Sequence, residues 1–148
     1  MGIEKVTEIK DLGVTFSSNL NFNSHMCNIV SKCYRMLGFL RRTLKPISDP
    51  SVFLGLYHSL IRSRLEYCSF IWNPRSQSMI FKIERVQKKF VKSLSFISKI
   101  NVNLPYESRC KYFNLQTLHH RRQSLDLRIL NKILNNNVDC SALSYSVV

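Results

Sequence analysis

The sequence predicts a mainly α fold, a helical bundle of about five helices preceded by a short N-terminal β segment. Three observations carry this. Apolar residues recur three and four positions apart over most of the chain from Met26 to Ile133, the period of a helix with one buried face. Prolines and capping residues punctuate that pattern, at Pro46, Asp49-Pro50 and Pro105. Only residues 6–22 break from it, with closely spaced apolar residues, Gly13 and a turn-forming run from Ser17 to Asn23. A chain of 148 residues that is 45% hydrophobic fits one compact domain, which at this size buries roughly 70% of its unfolded surface.

The elements follow in order. Ile9, Leu12, Val14 and Phe16 make one or two short strands. Helix one begins with Ser24 as N-cap and places Met26, Ile29, Val30, Cys33, Leu37, Leu40 and Leu44 on one face, opposite Arg35 and Arg42, until Pro46 stops it. Ser48-Asp49-Pro50 starts helix two, with Pro at the first helical position, where its missing N–H costs nothing. Val52, Phe53, Leu54, Leu56, Tyr57, Leu60, Ile61 and Leu65 cover most of its circumference up to about Cys68, so it is expected to be the most buried helix. Trp72, just beyond, is expected to plug the core rather than stack on a base.

Helix three, about Gln77 to Ser98, is the clearest segment. Ile80, Ile83, Val86, Phe90, Leu94 and Ile97 gather on one side; Lys82, Arg85, Lys88, Lys89 and Lys92 gather on the other, with Glu84 as the only acid near them. Pro105 opens a short helix to about Phe113. Gln116 or Thr117 starts the last helix, which decays in Asn135 to Asn137. Its expected buried side is Leu118, Leu125, Ile129 and Ile133, with a second basic stripe of Arg121, Arg128 and Lys132. The resulting segments are a β segment over 1–23, a helical bundle over 24–98, a helical extension over 99–138 and a tail over 139–148 expected to be disordered.

Charge narrows the function. Lysine and arginine number 22 against nine acids, a net charge of +13, so the surface attracts polyanions. Solvent faces of helices usually alternate in sign to gain pairs one turn apart. A single-sign stripe instead suits phosphate tracking, and both stripes are therefore candidate nucleic-acid contacts.

Four stretches carry a resemblance to a known family: Lys10 to Val14, Leu65 to Pro74, Ile83 to Phe90 and Leu104 to Cys110. Together they resemble the region after the palm in reverse transcriptases of jockey-like non-LTR retrotransposons, and the likeness runs from about Ile9 to Leu143. The resemblance implies that residues 1–23 end the palm, that 24–98 form a thumb-like bundle, and that the partner is an RNA–DNA hybrid or double-stranded DNA, gripped by its backbone. It also implies an RNA-directed DNA polymerase as parent, using magnesium, with the missing fingers and palm as further partners. A truncated element copy or a terminal exon is the expected origin of a chain that starts where this one does.

The residues exclude much else. Two-magnesium polymerase chemistry needs paired carboxylates, yet no two of the nine acids are adjacent, so this chain is expected to bind without catalysing and to hold no cofactor. Five cysteines form no Cys-x-x-Cys pair, which argues against a disulfide framework or zinc ribbon and for an intracellular, nuclear or cytoplasmic, setting. Cys27 and Cys33 are expected on the apolar face of helix one. His119 and His120, with Cys110 and Cys140 at remote spacings, lack the close ligand pairs of zinc sites and read as a solvated helix start. A small metal-dependent nuclease using His119, His120 and Asp126 is the weakest alternative; a helical protein-interaction adaptor is the stronger one. The most apolar window, Val52 to Ile61, is far short of the roughly 20 residues of a membrane span.

Overall fold

The computed structural model describes residues 6–44 and 49–135. Strands β1 (Glu8–Asp11) and β2 (Val14–Ser17) form an antiparallel hairpin with Asp11 opposite Val14. Its two turn residues, Leu12 and Gly13, have φ of 44° and 85°, the mirror-image turn whose twist matches that of paired strands. The Tyr67 hydroxyl donates to the Leu12 carbonyl at 3.0 Å and ties the turn to the helices.

Helix α1 (Asn23–Thr43) follows. The expected Ser24 cap is not the one used. Phe22 occupies the cap position without a side-chain bond, and Asn21 Oδ1 accepts from the Asn23 N–H at 2.9 Å instead. The Asn-rich turn thus takes over the capping role. Asp49 caps α2 (Pro50–Tyr57) as expected, accepting from the Ser51 N–H at 2.8 Å. That helix continues through a π turn, His58–Arg62, into α3 (Ser63–Glu66). Cys68, at φ 51°, breaks the run and starts the short helix α4 (Ser69–Trp72), which periodicity did not reveal. Trp72 is buried, as expected of a core plug, and its Nε1–H donates to the Tyr67 carbonyl at 2.9 Å.

Helix α5 (Gln77–Ile97) is the central helix, packing against α1, α2, α6 (Tyr106–Tyr112) and α7 (Leu118–Leu134). This corrects the expectation for helix two, whose Val52 is 40% exposed and whose Leu54, Leu56 and Leu60 are half-buried. Helix α5 is covered by several helices, and its polar Gln87 and Glu84 find partners on α2, α6 and α7. Tyr57 stacks on Phe90 with ring centres 3.9 Å apart. The core is one cluster reaching from Val14 of the hairpin through Phe53, Ile61, Ile83, Phe90 and Leu94 to Leu115 and Leu118. Mainly α with a short N-terminal hairpin is therefore the fold. Cys33 lies in the core but Cys27 is exposed, since six residues bring the chain round to the α1 core face and Cys27 falls outside it. Among the described residues no helix is long and apolar enough to cross a membrane. The Pro46 stop, Cys140 and the tail over 139–148 fall outside the described residues.

Candidate nucleic-acid interface

The α5 stripe is exposed at Lys82, Arg85, Lys89 and Lys92, while Lys88 is half-buried. Ten residues of helix separate Lys82 from Lys92, about 15 Å at 1.5 Å per residue. That length covers about four phosphates of one duplex strand at 3.4 Å each. Two of the side chains are held by aromatic rings. Lys88 Nζ lies 5.1 Å from the Phe81 ring centre and 5.2 Å from that of Tyr106, and Lys89 Nζ lies 4.6 Å from Tyr34. Such contacts restrain a long ammonium without neutralising it.

Glu84 does not accompany the stripe. It is buried, and its carboxylate accepts from the Tyr106 hydroxyl and from the N–H groups of Leu118 at 3.2 Å and His119 at 3.1 Å. A carboxylate facing the free N–H groups that open α7 satisfies both hydrogen bonding and the helix dipole. The polar chain extends inward: Tyr57 donates to Gln87 Oε1 at 2.6 Å, and Gln87 Nε2 donates to the Tyr106 oxygen at 2.9 Å and to the Gln116 carbonyl at 2.8 Å. Burial and the Glu84 charge drive the Tyr106 hydroxyl far above its ordinary range, so it stays a donor. With Glu84 turned inward, no carboxylate on α5 opposes the four exposed cations.

The second stripe does not form as expected. Arg121 is paired with Glu66 of α3 through two hydrogen bonds, that of Nη2 to Oε2 being 3.0 Å. Arg128 and Lys132 are exposed. On the intended buried side only Leu118 is fully covered; Leu125, Ile129 and Ile133 are half-buried. The position that is buried is Arg122, whose guanidinium has no hydrogen-bond partner among the described residues. Burial lowers its pKa, opposed by Glu84, Glu66 and Asp126 around it. Helical spacing already pointed to Arg122 rather than Arg121 as the inward residue, because Arg122 falls four residues after Leu118 and three before Leu125, on the apolar face itself.

Two exposed aromatic residues were missed. Phe81 and Phe96 are 56% and 63% exposed; Phe81 stands four residues before Arg85 and Phe96 four after Lys92, so both share the cationic face. That spacing was the available signal.

Among the described residues the acids around α7 do not fit a polymerase's magnesium. Glu66 is committed to Arg121, Glu84 to α7, and Asp126 to Asn73. Among the described residues no group of three or more His, Cys, Asp or Glu is placed to hold a metal. His119 and His120 are both exposed, and Cys110 is buried.

No protein-family model matches the chain, and no solved structure matches it. Among curated proteins it is similar to "Uncharacterized protein B0403.1" of Caenorhabditis elegans, 27% identical over 147 residues, which covers 94% of this chain and 71% of that protein.

Proposed function

We propose that this chain grips the backbone of a nucleic-acid duplex, RNA–DNA hybrid or double-stranded DNA, without reading its sequence. In this reading it is the thumb-like, non-catalytic portion of a retrotransposon-type reverse transcriptase. The observation that supports it is the row Lys82, Arg85, Lys89 and Lys92, exposed on one helix face from which Glu84 is withdrawn. Phosphate contacts of this kind set affinity and position but carry no base information. The four described thiols, at Cys27, Cys33, Cys68 and Cys110, are unpaired, in keeping with an intracellular setting.

Replacing the four α5 cations with Gln tests the reading. Affinity for both duplexes should fall alike, and the plot of log affinity against log salt should flatten by roughly 3 to 4 units, about 0.9 per contact. The apolar face is untouched, so the melting temperature should hold. A folded variant with unaltered affinity and slope defeats the proposal.

A second reading, a protein-interaction adaptor, is favoured by one observation. Leu127, Leu130 and Leu134, on one face of α7, are 67%, 48% and 56% exposed. Association through them would persist or strengthen as salt rises, whereas duplex binding collapses.

A further inference from the structure

A cavity of about 540 Å³ lies between α1 and α3 beneath the hairpin turn, lined by Gly13, His25, Ile29, Lys32, Arg64 and Tyr67. Its volume falls within the roughly 300–1,000 Å³ of small-ligand sites. His25, Ile29 and Lys32 are four and three residues apart, so they share one face of α1. Lys32 and Arg64 are exposed cations on facing helices, and among the described residues no carboxylate lines the cavity. Both continue into an adjoining groove with Arg35.

His25 supplies a second kind of observation. It is 4% exposed, and its Nδ1 accepts the Thr15 N–H at 3.2 Å. With Nδ1 acting as acceptor, the ring proton of neutral His25 sits on Nε2. That Nε2 is buried and has no hydrogen-bond partner among the described residues. A buried donor left unpaired is costly, and here it belongs to a residue lining a cavity flanked by two cations. Tyr67 is already bonded to Leu12, and the His25 ring is held edge-on against Trp72 at 5.7 Å. The donor is thus fixed in place. Burial and the Lys32 ammonium hold His25 below its ordinary 6.5, so it is neutral at pH 7.

We propose that this cavity is a phosphate-binding site, taking one phosphate monoester or diester group between Lys32 and Arg64, against a wall to which the His25 imidazole contributes. The site is separate from the α5 row. Residues two apart on a helix point about 200° apart, so Lys32 and Tyr34, the latter beside Lys89, lie on opposite flanks of α1. Failure of the duplex reading therefore does not entail failure of this one.

The test uses the full chain labelled with ¹⁵N-histidine and titrated with inorganic phosphate, watching the four imidazoles. His25 should shift saturably. In the Lys32→Gln/Arg64→Gln variant, whose substituted residues are exposed and whose melting temperature should hold, phosphate binding should weaken about tenfold or more per cation, the worth of a charge-assisted hydrogen bond. The α5 Gln variant should bind phosphate normally. A stationary His25 resonance, or equal phosphate affinity in the folded double variant, overturns the proposal. A duplex with 5′-hydroxyl ends then distinguishes the source. If it also moves His25 and the double variant flattens its salt slope by about 1.8, the group is a backbone diester; if only inorganic phosphate moves His25, it is a free or terminal phosphate.

Discussion

Helices α5 and α7 each carry a basic stripe along one face, and the two meet opposite fates. On α5 the cations remain exposed because the only nearby acid, Glu84, is drawn into the core by Tyr106 and the opening N–H groups of α7. On α7 the first cation is consumed by Glu66 and its neighbour Arg122 is buried whole, leaving Arg128 and Lys132 at the far end. The difference teaches that a run of like charges is a binding surface only when tertiary partners leave it unpaired. Glu84 links the two outcomes, freeing one stripe while fastening the helix that bears the other.

The most damaging way to break the contrast is Glu84→Ala. It leaves the Tyr106 hydroxyl and two N–H groups without acceptors and removes a charge opposite buried Arg122. The expected loss is about 3 kcal/mol, read from urea unfolding; a loss below about 1 kcal/mol would show that Glu84 does not fasten α7.

Arg121→Gln should cost about 2 kcal/mol through its half-buried carboxylate partner, yet leave the salt dependence of duplex binding unchanged. A flatter slope would place Arg121 on phosphate after all.

Acid should weaken the fold next. His25 and His58 are both held below their ordinary 6.5, first by burial and then by cations, Lys32 for one, Arg62 and Arg121 for the other, with Glu66 opposing at His58. The folded state therefore binds fewer protons than the unfolded chain just below pH 6.5. Stability is fully present above that pH and is lost as pH falls through the lowered values. Melting temperatures at pH 7.5 and pH 5 check this, and Arg121→Gln, which removes a repelling cation from His58, should narrow the gap.

The mildest change, Arg128→Gln with Lys132→Gln, should move stability by no more than about 0.5 kcal/mol. It flattens the salt slope by about 1.8 only if the far end of α7 also touches the duplex. An unchanged slope confines contact to α5.

Much of this was legible in the residues. The short N-terminal strands, α1, α5, the Asp49 cap and a last helix starting at Gln116 or Thr117 all follow from signals that act within one turn, and the structure uses Thr117, whose Oγ1 accepts the His120 N–H at 3.3 Å. Phe81 and Phe96 were legible too, at four-residue spacing from cations on the same helix. The cation-lined cavity was not, because Gly13, His25 and Arg64 come from three elements that no local pattern joins.

By itself, then, the sequence determined the helical class, the period and most limits of the helices, and the net positive charge, because backbone preference and apolar spacing are local properties. Tertiary structure decided which helix is central and which cations remain free. Those outcomes depend on partners 34 residues away for Glu84 and Leu118 and 55 residues away for Glu66 and Arg121. A charge loses its availability to whichever opposite charge or open helix end the packing brings beside it, and that neighbour is set by how the helices dock.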